Sequence, residues 1–141
     1  MKSWMQLRNW KIFLDSSVLL AAMGSKTGGS YLVVTTFPCL ISTAIAAEVK
    51  RHAPKIGLSA DQADEWMRKR VSIVSKPSQI EEEKFASVVI DPKDVHVVAA
   101  AYFNQVNVLL TLDKKHLLTT KVKKALSPIQ VLTPKELLVK L

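Results

Sequence analysis

The chain has 141 residues, and its 48% hydrophobic share with 4 glycines and 6 prolines excludes a disordered or low-complexity protein. We therefore expect one domain that spans residues 1–141, without a linker. The formal net charge of +8 favours polyanionic partners, although many small proteins are basic only for solubility. The single cysteine, Cys39, excludes an internal disulfide and a cysteine-rich zinc site, and it favours a cytoplasmic location.

The sequence offers little support for a membrane segment. Its first residues lack the long apolar centre of a signal peptide. Residues 27–47 carry no charge, but the glycines at 28 and 29 and Pro38 interrupt them, so a continuous membrane helix is a poor interpretation. Two short buried elements with a turn at Pro38 explain this stretch better, and we expect no membrane association.

Short apolar runs alternate with capped or amphipathic segments along most of the chain. In chain order the prediction is a strand at 10–14, helices at 18–23 and 31–37, a strand at 40–42, helices at 43–52 and 59–69, a strand at 71–74, a short helix at 81–84, a helix at 95–104, a strand at 106–110, a short helix from 113, a strand at 129–132 and a helix from 134. This order predicts an α/β sandwich around a mainly parallel sheet, in which the carboxyl ends of the strands share one edge.

Acidic residues recur where predicted strands meet helices. Asp15 and Asp113 directly follow apolar runs, and Asp94 opens an apolar helix. Asp15 and Asp113 could each simply cap a helix, and Asp94 could be the third residue of a helix that Asp91 caps. Glu48 lies among small apolar residues, where an acid costs desolvation unless something compensates it, although an exposed position on a helix face is the alternative.

Taken together, the four acids suggest a metal site. Clustered carboxylates repel one another, and Mg²⁺ or Mn²⁺ can offset the repulsion because both ions favour oxygen ligands. Such ions can activate water and stabilise the leaving oxygen when a phosphodiester is cut. Basic residues around the site would hold the phosphates of the substrate. This combination is typical of a nuclease.

Four segments together resemble the motifs of PIN-domain ribonucleases. They are residues 11–20, 42–49, 94–101 and 109–118, and they occur in the order and at the spacing of that family. The resemblance extends over residues 11–138. It implies a three-layer α/β/α sandwich with a central mainly parallel sheet, Mg²⁺- or Mn²⁺-dependent cleavage of RNA, and often a homodimer. Many such small proteins are VapC-like toxins that pair with an antitoxin protein.

The resemblance also assigns roles to particular residues. It makes four acids both metal ligands and catalytic residues: Asp15, Glu48, Asp94 and Asp113. Ser16 and Thr111 would support them through hydroxyl hydrogen bonds. Asp91 lies only three residues before Asp94, so the identity of the third acid stays open, and Asp94 is preferred because it opens the helix.

The basic pairs Lys50-Arg51 and Lys114-Lys115 are predicted to contact RNA phosphates. The three histidines show no ligand spacing. His116 lies near Asp113 and could touch the substrate, but an ordinary surface position is the preferred prediction. A phospho-accepting switch domain would need a second acid beside Asp15, which the sequence lacks. The remaining alternative is a non-catalytic PIN-like domain that binds RNA or protein.

Overall fold

Five parallel strands form the central sheet, in the order β3-β2-β1-β4-β5. The computed structural model describes residues 9–140. The strands are β1 Ile12–Leu14, β2 Cys39–Ser42, β3 Ser72–Val74, β4 Val108–Leu110 and β5 Gln130–Leu132. The helices are α1 Ser16–Gly24, α2 Gly29–Thr36, α3 Thr43–His52, α4 Ala60–Arg70, α5 Gln79–Glu83, α6 Val95–Phe103, α7 Thr120–Leu126 and α8 Pro134–Val139, with 3₁₀ helices at Ala53–Ile56 and Pro92–Asp94.

The first strand lies at the centre of the sheet because its residues are apolar on both faces. All three residues of β1 are fully buried, and β1 pairs with β2 on one side and with β4 on the other. The chain moves outward from β1 through β2 to β3, and then returns to the other side of β1 as β4. This change of direction creates a crevice at the carboxyl ends of β1 and β4.

Two groups of helices pack on the sheet. One group joins α1, α2, α3, α4 and α8, and the other joins α5, α6 and α7. Helix α6 is buried over five consecutive small or branched residues, from Val97 to Ala101, so it packs closely without a polar face there. The resulting α/β/α layers confirm the predicted fold class.

The local signals that the sequence offers for helix starts are also confirmed. Ser59 with Gln62 and Thr133 with Glu136 both form reciprocal capping boxes, in which each side chain bonds the backbone N–H of the other residue. Cys39 is buried in the core.

The predicted helix from Asp113 is wrong. Residues 114–117 form turns, and the next helix begins only at Thr120, where Thr119 accepts a hydrogen bond from the Val122 N–H. The Asp113 carboxylate instead accepts a hydrogen bond from the His116 N–H, which closes a turn.

Within residues 9–140, no helix is long and apolar enough to cross a membrane. The prediction about a signal peptide falls mainly on residues 1–8, which lie outside the described residues.

Candidate functional site

Four acidic side chains gather at the carboxyl edge of the sheet. Asp15 directly follows β1, and Asp113 follows β4 after two intervening residues. Glu48 lies on α3, and Asp94 ends the 3₁₀ helix Pro92–Asp94 at the start of α6. The parallel topology therefore brings together residues that are far apart in the sequence.

Asp15 is held rigidly beneath the site and is only 6% exposed. Its Oδ1 accepts a hydrogen bond from the Ser16 N–H at 2.8 Å, and its Oδ2 accepts from the Ser17 and Thr111 hydroxyls, each at 2.9 Å. Burial raises the pKa of Asp15, these hydrogen bonds oppose the rise, and the charge of Glu48 adds to it. The Ser16 hydroxyl also lies within hydrogen-bond distance of Oδ1, at 3.5 Å.

Thr111 links two of the acids. Its fully buried hydroxyl donates to Asp15 and accepts a hydrogen bond from the Asp113 N–H at 3.0 Å. Ser17 makes a similar bridge, because its hydroxyl donates to Asp15 and accepts from the Leu112 N–H at 3.1 Å. The loop after β4 is thereby fixed against the end of β1.

Glu48 is half-buried and faces the site, so the alternative of an exposed helix-face glutamate is wrong. Its Oε2 accepts a hydrogen bond from the Ser16 hydroxyl at 3.0 Å, and its Oε1 lies 2.6 Å from His96 Nε2. Burial would raise the pKa of Glu48, but the hydrogen bond and charge of His96, together with the Ser16 bond, outweigh burial and lower it. Since a carboxylate only accepts, His96 Nε2 is the donor.

His116 lies beside both Asp94 and Asp113. The His116 Nδ1 lies 3.1 Å from Asp113 Oδ2 and 4.0 Å from Asp94 Oδ2. Within the described residues, the Asp94 side chain makes no capping hydrogen bond to α6. Asp91, in contrast, caps the 3₁₀ helix by accepting from the Lys93 N–H at 3.0 Å. The geometry thus places Asp94, rather than Asp91, beside Asp113.

The electrostatics of Asp94 reflect this crowding. Burial first, and then the negative charges of Asp113, Asp15 and Asp91, raise its pKa to about 6, while His116 acts in the opposite direction. At neutral pH the carboxylates therefore repel one another, and His116 offsets only part of this repulsion. A cation bound between them would relieve this repulsion.

A divalent metal ion fits this set of donors. One ligand atom from each of Asp94, Asp113 and His116 lies within 4.8 Å of the other two. Glu48 lines the same cleft, and Asp15 is buried near these acids, close enough for its charge to help raise the pKa of Asp94. Hard oxygen donors of this kind suit Mg²⁺ or Mn²⁺.

The acids open into a cleft of about 960 Å³. Three basic side chains line it beside Glu48, Asp94 and Asp113: they are Arg51, Lys76 and Lys93. The cleft thus combines carboxylates with arginine and lysine side chains. This combination suits an anionic polymer whose phosphates approach bound metal.

The four predicted phosphate-binding residues lie in different places. Arg51 lines the cleft, whereas Lys50 pairs with Asp64 at 3.5 Å. Lys114 and Lys115 are exposed, and neither is among the described residues that line the cleft. Their role in substrate binding remains a prediction.

Sequence reasoning missed three contributors to the site. His116 was expected to be an ordinary surface residue, but it is part of the acidic cluster. His96 and Ser17 were given no role, although each bonds one of the acids. The only local signal was proximity, since His96 lies two residues after Asp94 and His116 lies three after Asp113.

No family model and no curated protein matches the sequence. Solved structures do match it. VapBC2 from Rickettsia felis, bound to a DNA fragment from its promoter, gives a TM-score of 0.63 at 13% identity, covering 86% of this chain and 96% of that chain. VapBC-1 from nontypeable Haemophilus influenzae gives a TM-score of 0.60 at 16% identity, covering 89% of this chain and 98% of that chain.

A third match is VapC20 from Mycobacterium tuberculosis, a toxin that cleaves the sarcin-ricin loop. It gives a TM-score of 0.57 at 14% identity, covering 74% of this chain and 91% of that chain. Sequence identity this low carries the fold rather than the activity. Together with the five-stranded parallel sheet between two layers of helices, these matches show that the chain has a PIN-like α/β/α fold of the VapC type.

Proposed function

We propose that this protein is a metal-dependent endoribonuclease that hydrolyses RNA phosphodiester bonds. The observation that carries the proposal is that Glu48, Asp94 and Asp113 line one cleft while Asp15 is buried at the same sheet edge. Ser16 bonds Glu48, and Thr111 bonds Asp15 and the Asp113 backbone. The raised pKa of Asp94 supports it, because such crowding of carboxylates is costly unless a cation is bound.

The side chains divide into three roles in this proposal. Glu48, Asp94 and Asp113 hold Mg²⁺ or Mn²⁺ in the cleft, with Asp15 behind them. When bound, such an ion supplies an activated water and stabilises the leaving oxygen of the phosphodiester. His96 and Ser16 fix the orientation of Glu48, and Thr111 fixes Asp15 relative to Asp113. Arg51, Lys76 and Lys93 bind the phosphates of the RNA.

The proposal extends to partners. The fold matches VapBC2 and VapBC-1, and the sequence motifs resemble those of VapC-like toxins. We therefore infer that the protein is the toxin of a type II toxin–antitoxin pair, forms a homodimer and is inhibited by an antitoxin. Co-expression with the product of an adjacent small reading frame, followed by co-purification, tests the antitoxin. Light scattering of the isolated protein tests the dimer.

Cleavage of a mixture of structured and single-stranded RNAs tests the activity. The mixture should include a sarcin-ricin loop oligonucleotide, because VapC20 cleaves that target. Each reaction contains Mg²⁺ or Mn²⁺, with EDTA as a parallel condition. The Asp15→Asn variant removes one site carboxylate, and Asp61→Asn, an exposed aspartate on α4, is the matched control.

We expect cleavage that requires both the metal ion and Asp15, and that Asp61→Asn leaves unchanged. Cleavage that survives EDTA or the loss of Asp15 would contradict the metal mechanism. RNA binding without cleavage by the folded protein would favour the alternative of a non-catalytic PIN-like binding module.

A further inference from the structure

The imidazole of His116 lies beside two acids of the site, Asp94 and Asp113. We propose that His116 Nδ1 is a nitrogen ligand to the ion held by Asp94 and Asp113, and that it makes this site select Mn²⁺ over Mg²⁺. The inference rests on the proposed function, since it assumes that these carboxylates bind metal. It goes further in assigning a fifth ligand and a metal preference.

The distances around His116 are those of ligands on one ion. Nδ1 lies 3.1 Å from Asp113 Oδ2 and 4.0 Å from Asp94 Oδ2. Six-coordinate ions with ligand bonds near 2.1 Å place adjacent ligand atoms about 3.0 Å apart and opposite ones about 4.2 Å apart. Both measured separations fall between roughly these limits, so Nδ1 can share one ion with either carboxylate oxygen. One ligand atom from each of the three residues lies within 4.8 Å of the other two.

The backbone fixes His116 in this position. The Asp113 carboxylate accepts from the His116 N–H at 2.9 Å, so the two residues belong to one closed turn. The next residue, Leu117, is fully buried and anchors the end of that turn in the core. The imidazole is 29% exposed, which leaves it open to the cleft that it lines.

A hydrogen bond alone is the competing explanation of the short contact to Asp113. An imidazole that only donates to Asp113 would orient the carboxylate and would not touch the ion. The 4.0 Å distance between His116 Nδ1 and Asp94 Oδ2 favours coordination, because an imidazole that only donates to Asp113 does not have to lie near a second carboxylate. The two explanations differ in whether nitrogen is bonded to the metal.

Nitrogen coordination carries a consequence for metal choice. Imidazole is a softer donor than carboxylate, and first-row transition ions accept it, whereas Mg²⁺ retains oxygen and water ligands. A site of carboxylates alone would discriminate weakly between Mn²⁺ and Mg²⁺. His116 therefore tunes the site toward the transition ion.

Pulsed electron paramagnetic resonance of the full chain loaded with Mn²⁺ tests the contact directly. Electron spin echo modulation detects nitrogen bonded to Mn²⁺, and labelling histidine with ¹⁵N assigns the signal to imidazole. The variant is His116→Leu, and the control is His52→Leu, which removes another imidazole from the same cleft. Calorimetric titration with Mn²⁺ and with Mg²⁺ measures the affinities in parallel.

We expect histidine nitrogen coupling in the wild type and in His52→Leu, and its loss in His116→Leu. The affinity for Mn²⁺ should fall at least tenfold in His116→Leu, while the affinity for Mg²⁺ changes less than threefold. Mn²⁺ binding without nitrogen coupling in the wild type, or coupling that persists in His116→Leu, would overturn the inference and leave the proposed function intact. Failure of the wild type to bind either ion would overturn both. If His116→Leu does not fold, His116→Asn removes the same imidazole and leaves a polar side chain, and the absence of nitrogen coupling in the wild type overturns the inference without any variant.

Discussion

Among single residues, Asp94 has an unfavourable environment for its charged form in the metal-free site. Burial and its acidic neighbours raise its pKa from the ordinary value of 3.8 to about 6. The folded state therefore binds the proton more tightly than the unfolded state. Ionisation of Asp94 costs stability as the pH rises from about 4 through 6, and the cost is absent below the unfolded pKa.

Asp94→Asn should accordingly stabilise the metal-free protein at pH 7. We expect a gain of about 1–2 kcal/mol in the free energy of unfolding, after allowing for solvent screening of a half-buried group. Because Asp94 is protonated in both states at pH 3.5, the gain should nearly vanish there. Urea unfolding in EDTA at the two pH values measures the difference, with Asp61→Asn as the control. An equal or lower stability of Asp94→Asn at pH 7 would show that the carboxylates do not repel one another as inferred.

Full cleavage activity in the same variant would transfer the third-acid role to Asp91.

His96 is the residue that orients Glu48. Replacing it by Leu removes the donor at 2.6 Å and leaves a half-buried carboxylate with one bond fewer. Loss of such an outer partner typically costs 10–100-fold, so we expect kcat to fall by about that factor while the KM for RNA changes little. His96→Gln, which can still donate from its amide, should recover part of the loss. A purely structural role would instead lower the stability of both variants without separating kcat from KM.

The four acids could be predicted from the sequence because Asp15 and Asp113 follow apolar strands, Asp94 opens an apolar helix, and Glu48 lies among small apolar residues. The histidines could not. His96 and Glu48 are separated by 48 positions, and their contact exists only after α3 and α6 pack beside the same sheet edge. The usual search for histidine ligands relies on short fixed spacing, which neither His96 nor His116 shows. Long-range pairing of this kind depends on tertiary structure.

At the scale of secondary-structure elements, the junctions after β1 and β4 act as one unit through Thr111. Its hydroxyl is buried, donates to Asp15 and accepts from the Asp113 backbone. Thr111→Val keeps the volume but leaves both partners without this bond. We expect a loss of about 1–3 kcal/mol in the free energy of unfolding and a lower affinity for Mn²⁺.

Thr111→Ser is the matched control, because it retains the hydroxyl and loses only a methyl group. Chemical denaturation and metal titration of the two variants should separate the hydroxyl from the packing of the side chain. Similar losses in Thr111→Ser and Thr111→Val would assign the effect to packing and would contradict the linking role.

The elements themselves followed the sequence closely where the signals are local. Apolar or alternating runs marked all five strands, and capping residues marked the starts of α4 and α8. The error after β4 has a physical cause. Asp113 resembled a helix cap, but its carboxylate accepts from the His116 N–H and closes a turn. Residues 114–117 form turns, and α7 begins only after its cap, Thr119. An aspartate at the end of an apolar run can either cap a helix or close a turn, and tertiary contacts decide which of the two forms.

At the scale of the whole molecule, the net charge of +8 is distributed unevenly with respect to the site. Arg51, Lys76 and Lys93 line the cleft, whereas Lys114 and Lys115 are exposed outside its lining. Charge count alone favoured the lysine pair after Asp113, while the cleft geometry favours Lys76 and Lys93. A binding measurement can separate these two assignments because phosphate contacts have a characteristic dependence on salt.

The double variant Lys76→Gln and Lys93→Gln should weaken RNA binding and reduce the slope of log affinity against log salt by about 1.4, since each contact to a single-stranded phosphate contributes about 0.7. Lys114→Gln with Lys115→Gln, which removes the same charge outside the cleft, should change the slope by less than half as much. Fluorescence anisotropy at KCl concentrations from about 50 to 300 mM measures the salt slope of each double variant. The Asp15→Asn background prevents cleavage during the measurement. If the lysine pair at 114 and 115 changes the slope more, RNA crosses the turn after β4, and the substrate path predicted from the sequence replaces the one that the cleft suggests.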